Sequence, residues 1–301
     1  MIIPVILFVY KRLDVLERTL ACLQENRVRK LIVYSDGAKN EQDSPAVQAV
    51  RRYIEEIDWC EVELVVRPAN FGLGRNILAG VSETLERFEA VLVWEDDLIC
   101  VPGTYAYLCA ALERYQNDLG VMSVTGWTNR HVTPSNVKGL PYFDGRSESL
   151  VWGTWRRAWQ GMMGETALEK VEKMRQGGLD PSCYGGDLPA MAKCEVARNI
   201  WAVRFLYHHL ASKGLCLRPP WSMVEHIGFD ARATNANSNK IWFVNGELSP
   251  CPPIPDVWPE PVENPECSAL WRKMCPRPWS DRFPRTVRII KRVLKLVTAS
   301  R

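Results

Sequence analysis

Apolar positions in the first hundred residues come in two alternating forms. Pro4-Val-Ile-Leu-Phe-Val-Tyr10 is a continuous β-branched and aromatic run, and behind it Leu13, Leu16, Leu20 and Leu23 fall three or four apart. The run predicts a strand buried on both faces, and the spacing predicts a helix with one apolar stripe. The alternation then repeats. Leu31 to Ser35 reads as a strand, Val47 to Ile57 as a helix, Glu61 to Val66 as a strand, Asn76 to Phe88 as a helix and Val91 to Trp94 as a strand. Four strands apolar throughout, separated by helices, imply an α/β fold with a mostly parallel sheet covered on both faces. Ligands in such sheets bind beyond the carboxyl ends of the strands. Polar clusters follow the predicted strands there: Tyr10-Lys11-Arg12, Ser35-Asp36-Gly37, Glu95-Asp96-Asp97, and Arg67 to Arg75, which opens a helix.

The acidic cluster is the most informative of these. Carboxylates held together repel one another, and the arrangement becomes favourable when a divalent cation and substrate phosphates share the site. Mg2+ and Mn2+ suit oxygen ligands of this kind, using one or two carboxylates together with phosphate oxygens. A solvated turn is the alternative for an isolated Glu-Asp-Asp, and its place after an apolar strand weighs against that.

Composition narrows the partners. The chain has 301 residues, 47% hydrophobic, with a net charge of +3, too slight to argue for nucleic acid. Ten cysteines are scattered without a C-x-x-C pair, and no His/Cys set has zinc spacing. The N-terminal MIIPVILFVYKR carries its charges after a short apolar run, so it reads as a first strand, and the expected location is the cytosol with reduced thiols.

Val91-Leu-Val-Trp-Glu-Asp-Asp-Leu98 resembles the acidic metal motif of GT-A glycosyltransferases, of the N-acetylglucosaminyltransferase I type and related bacterial family-2-like enzymes. Several other segments occur in the family's order. They are Pro4 to Arg12, Tyr34 to Asn40, Asn70-Phe-Gly-Leu-Gly-Arg-Asn76, Ser149 to Trp159, Asn199 to Arg204, Gly214 to Pro220 and Val224-Glu-His-Ile-Gly-Phe-Asp230. The resemblance, over about residues 1–235, implies a GT-A (Rossmann-like) mixed sheet flanked by helices. It also implies transfer of a hexose or N-acetylhexosamine from a nucleotide-sugar, most simply a UDP-sugar. Arg12 and Tyr10 are then expected at the nucleotide, Asp36 at the base, and Asn70 and Gly72 at the donor. Glu95 and Asp96 are expected at the ribose or uracil side, and Asp97 with His226 at the Mn2+ or Mg2+ ion. Arg75 offers charge to phosphate near a helix start, or else a surface ion pair.

A base must take the proton of the acceptor hydroxyl. Where the eukaryotic members carry an aspartate after tryptophan, this chain reads Trp201-Ala202. Asp187, Glu195 (placed on the same helix as Trp201) and Asp230 are the candidates. Nine of the twelve tryptophans lie from Trp152 onward. Trp152, Trp155, Trp201 and Trp221 offer either faces for sugar rings in an acceptor groove or bulk for the core.

The resemblance divides the chain into a catalytic domain over 1–240, with a nucleotide-sugar half (1–125) and an acceptor half (126–240). A proline-rich segment over 241–283 is expected to lie as an extended strap. Residues 284–301 hold six Lys/Arg and no acid, with Val287, Ile290, Leu294 and Val297 on one helical stripe. A basic amphipathic helix of this kind suits an anionic membrane surface on the inner face of the plasma membrane, or an internal or subunit contact. The membrane reading fits a lipid-linked acceptor in the synthesis of a surface polysaccharide or glycoconjugate. A sugar-phosphate nucleotidyltransferase would want a glycine-rich basic loop where this chain has Tyr10-Lys11-Arg12-Leu13. A carbohydrate-binding protein would leave the three acids without a purpose.

Overall fold

The computed structural model describes residues 2–228 and 248–277. β1 (Val5–Val9) is buried at every position. It runs parallel to β2 (Lys30–Ser35) on one side and β4 (Ala90–Glu95) on the other. The registers Val9 to Ser35 and Phe8 to Glu95 bring the carboxyl ends of all three strands to one edge. β3 (Glu61–Val66) continues the parallel set beyond β2. Three helices connect these strands: α1 (Leu13–Glu25), α2 (Ser44–Glu55) and α3 (Leu73–Leu85). On α1 the spacing read from the sequence is the buried face, with Leu16, Leu20 and Leu23 all inside.

The expectation of four fully buried strands fails at β3. It is the edge strand and is only half-buried, and its alternate acids face outward, Glu61 paired with Lys30 and Glu63 held in a fork by Arg87 at 2.6 and 2.8 Å. Charged side chains on an exposed edge also discourage pairing with another chain.

Beyond β4 the sheet becomes mixed. The strands β6 (Val121–Thr125), β7 (Tyr142–Asp144), β8 (Trp152–Trp155) and β9 (Leu215–Arg218) complete the order β3-β2-β1-β4-β8-β6-β9-β7. β8 is antiparallel to both β4 and β6. A separate two-stranded ribbon pairs β5 (Leu98–Cys100) with β10 (Val224–His226), with Leu98 opposite His226. The helices of the second half are α4 (Thr104–Arg114), the short α5 (Arg156–Trp159), α6 (Ala167–Gln176), α7 (Leu188–Arg198) and α8 (Trp201–Ser212).

Three of the four tryptophans offered for an acceptor groove, Trp152, Trp155 and Trp201, are core residues, and Trp221 is half-exposed, its indole N–H donating to the Pro250 carbonyl. Trp152 stacks on Trp201 at 5.1 Å and on Trp159 at 5.9 Å, beside Phe205. Trp155 points to the other sheet face, where its indole N–H donates to the Leu112 carbonyl at 3.1 Å. None of Trp152, Trp155 and Trp201 is more than 4% exposed, so no ring face is open to a sugar.

A second correction concerns Glu195 and Trp201, which do not share a helix. Asn199 takes the left-handed conformation (φ 53°) and ends α7, and α8 starts anew at Trp201. The described part of the proline-rich segment, residues 248–277, contacts α4 and β7. Trp258 packs on Tyr107 and Tyr115, the Tyr115 hydroxyl donates to the Pro259 carbonyl at 2.6 Å, and Glu263 bridges to Phe143. It also contains a helix the sequence reading did not foresee, α9 (Cys267–Met274), in the proline-free stretch between Pro265 and Pro276. Its Trp271 is buried and donates to Asp144 Oδ2 at 2.8 Å. Asp230 and the basic segment 284–301 lie outside the described residues. No helix among the described residues is long and apolar enough to cross a membrane.

Candidate functional site

In a sheet ordered β3-β2-β1-β4, the connections after β1 and β4 leave in opposite directions, and a crevice opens between them at the carboxyl edge. A cavity of about 360 Å³ lies there. Tyr10, Arg12, Asp36, Asn70, Gly72, Glu95, Asp96, Asp97 and His226, drawn together by the sequence reading from five separate segments, all line it. Lys39, Arg198 and Asn199 line it too, and the sequence reading did not single them out. Arg198 and Asn199 come from the end of α7, a helix whose apolar pattern gives no hint that its terminus reaches the first half of the chain.

Each lining residue is fixed by local chemistry. Asp36 has both carboxylate oxygens occupied: Oδ1 accepts from the N–H groups of Gly37 and Phe71 (2.9 and 2.7 Å), and Oδ2 from Gly72 N–H and Asn70 Nδ2 (2.9 and 3.1 Å). A carboxylate has about four lone-pair sites. In this arrangement Asp36 shapes the 70–72 loop while lining the crevice. Asn70 also donates to the Gly37 carbonyl at 2.8 Å. The loop ends at Gly72 (φ 71°), which caps α3. Arg75, expected at phosphate, is an exposed residue stacked on Phe71 at 4.2 Å and does not line the cavity.

On the β1 side, the Tyr10 hydroxyl donates to Asp43 Oδ2 at 2.7 Å and accepts from Lys39 N–H at 3.0 Å. Burial first, and the Asp43 hydrogen bond second, push the Tyr10 phenol up to about 12. Arg12 donates to the Gly228 carbonyl at 3.1 Å.

The three acids occupy the turn between β4 and β5. Asp96 Oδ2 accepts the Tyr10 N–H at 3.2 Å, and the Thr19 hydroxyl donates to the Asp96 carbonyl at 2.9 Å, which ties the turn to β1 and α1. Burial, and then the charge of Asp97, push Asp96 up to about 7. Glu95 is raised well above the carboxylate range by burial and then by Asp97 and Asp96. The crowding therefore stores repulsion that a cation would relieve.

Asp97 Oδ1 is closed off from solvent and has no hydrogen-bond partner among the described residues. His226 Nε2 lies 3.8 Å from it, brought there by the β5–β10 ribbon. Burial lowers the His226 pKa, against the pull of Asp97, so the imidazole is neutral near pH 7. Its Nδ1 accepts the Gly228 N–H at 3.1 Å, which leaves the ring proton on Nε2, facing Asp97. Asp97 thus fits a hard divalent cation as it stands, and His226 fits once that proton leaves and the Gly228 contact gives way. No cluster of three or more His, Cys, Asp or Glu able to hold a metal occurs among the described residues.

Residues 5–161, more than half of the chain, match the family model described as glycosyl transferase family 2. The chain belongs to glycosyl transferase family 2. The transferase is similar in structure to the mannosyltransferase PcManGT from Pyrobaculum calidifontis, solved in complex with GDP-Man and Mn2+. The identity is 16%, covering 57% of this chain and 46% of that one, with a TM-score of 0.37. It is also similar to residues 1–349 of TarS from S. aureus, at 12% identity, covering 76% of this chain and 61% of that one, with a TM-score of 0.43. The chain thus spans less than two thirds of either protein. No curated protein matches it.

Of the candidate bases, Glu195 and Asp187 do not line this crevice. Glu195 is buried behind α6, ion-paired with Arg204 and accepting the Ala167 N–H at 2.5 Å, so it joins helices of the transferase and is not free to take a proton. Asp187 precedes α7 and lines neither this cavity nor the second one described below.

Proposed function

We propose that the transferase moves a hexosyl or N-acetylhexosaminyl group from a UDP-sugar to a hydroxyl of a saccharide or lipid-linked saccharide. Asp97 would hold a Mn2+ or Mg2+ ion, with His226 close by. The observation that carries this reading is Asp97 Oδ1, a buried carboxylate oxygen with no hydrogen-bond partner among the described residues, in the crevice beside β1 and β4. Leaving such an atom unmatched is costly, and an ion is the group that satisfies it. When bound, the cation neutralises charge on the departing nucleoside diphosphate.

The chain's own residues supply the rest. Lys39 and Arg198 add positive charge to the walls, and Arg12 reaches across from the end of β1 to hold the Gly228 segment. Asp36 keeps the loop before α3 in the shape that forms the floor.

The test is thermal stability of the purified protein with UDP-, GDP-, dTDP- and CMP-sugars, with and without Mn2+, repeated with Asp97→Ala. One nucleotide class should raise the melting temperature only when Mn2+ is present, and Asp97→Ala should abolish that rise. If no nucleotide shifts the melting curve while free glycans do, the transfer reading fails.

A further inference from the structure

A second cavity, of about 280 Å³, meets the first at His226, which lines both. One wall is apolar, with Leu188 and Met191 from α7 and Ala202 from α8. The opposing side carries Arg146 and Glu148, from the segment after β7. Glu148 is the one carboxylate among its lining residues.

The state of that carboxylate distinguishes it from the acids the sequence offered. Its Oε1 accepts the Ser149 N–H at 2.8 Å. Its Oε2 is 3.6 Å from Arg218 Nη1, too far for a hydrogen bond, and the side chain is 14% exposed. Arg218 is fully buried, ion-paired with Asp144 at 2.8 Å, and its Nη2 donates to the Arg146 carbonyl at 3.0 Å. Asp144 also accepts the Trp271 indole N–H. The buried Asp144–Arg218 pair therefore props Glu148 without consuming its second oxygen. Ala202 has no group that takes a proton.

We infer that the second cavity receives the acceptor, a sugar whose apolar face lies on the α7–α8 wall, and that Glu148 is the base that activates its hydroxyl. This rests on the glycosyl-transfer reading above. The acceptor oxygen forms its bond to the anomeric carbon of the donor, and its proton passes to Glu148 Oε2. The bond from that carbon to the diphosphate oxygen breaks, and its electron pair leaves with the nucleoside diphosphate. Arg146, whose guanidinium stacks on Trp271 at 4.0 Å and donates to the Tyr184 carbonyl at 2.6 Å, is held rigidly enough to orient the acceptor.

The experiment measures nucleoside diphosphate release by the full chain with Mn2+ from UDP-glucose, UDP-N-acetylglucosamine, GDP-mannose and dTDP-glucose. Water serves first as acceptor, then sodium azide, an anion with no proton to lose. Glu148→Gln should lower release to water about a hundredfold or more. It should keep the nucleotide-induced rise in melting temperature and regain rates within tenfold of wild type in azide. Glu148→Asp, which retains a carboxylate, should fall between the two. Wild-type release by Glu148→Gln overturns the assignment, as does a loss that azide does not restore, or one accompanied by loss of nucleotide stabilisation. If the wild-type protein neither binds nor cleaves any of the four donors, the transfer reading itself fails and takes the assignment with it.

Discussion

His209 sits with Nδ1 on the Phe205 carbonyl at 3.0 Å and Nε2 on the Ser123 hydroxyl at 2.8 Å. The carbonyl can only accept, so Nδ1 carries the proton and the ring is neutral. Burial pushes its pKa down to about 3. An unfolded histidine takes up a proton near pH 6.5 and the folded one does not. The stability it contributes is complete above that pH and is lost as pH falls towards the folded value, at about 1.4 kcal/mol per unit. Urea melts at pH 7 and pH 5 should differ by about 2 kcal/mol from this residue, and His209→Gln should show a correspondingly flatter pH dependence. At this scale the sequence reading drew the three acids and His226 together, and all four line one crevice. It did not foresee that Asp36 would be saturated by N–H donors, because hydrogen-bond occupancy depends on where a loop thirty-odd residues away returns. Glu148 and Arg218 escaped notice for the same reason. A lone glutamate and a lone arginine carry no pattern until the fold sets them beside Asp144.

Among the elements, α3 shows how closely the two halves are fitted. A Cβ at Gly74 would lie 2.1 Å from the Asn199 carbonyl oxygen, a backbone atom at the α7–α8 junction that cannot easily yield. Gly74→Ala should therefore cost about 1–3 kcal/mol through overpacking. It should also weaken nucleotide stabilisation by lifting the start of α3, and thermal melts with and without UDP-sugar and Mn2+ would read both effects. The strands β1, β2, β3 and β4 and the helices between them were legible, because buried runs and helical stripes have different periods. The break at Asn199 was not, since the residues around it continue a helical spacing and only the left-handed backbone ends it. The buried tryptophans were ambiguous for a physical reason: an indole is as suited to a core as to a sugar, and only the packing of α8 against β8 decides. α9 was hidden among prolines that bracket it without entering it.

At the scale of the whole molecule, charge is unevenly spread along the chain, with six Lys/Arg and no acid from Pro284 to the end. Each cation near an anionic surface contributes about 1 kcal/mol. The full chain should sediment with phosphatidylglycerol vesicles and not with phosphatidylcholine vesicles. Replacing Arg288, Lys291, Arg292 and Lys295 by serine should weaken that binding roughly a hundredfold or more. The β5–β10 ribbon has a different kind of consequence. Leu98 and His226 are neighbours across the ladder but far apart in the order of synthesis. A growing chain therefore carries three crowded acids long before it owns the strand that brings the histidine to them. Before residues near 226 have left the ribosome, Asp96 already has the Tyr10 N–H as a donor, whereas Asp97 lacks the histidine that lies 3.8 Å from it in the folded chain. The crevice cannot be complete before its latest lining residues, Arg198, Asn199 and His226, have been made, although most of its lining is made far earlier.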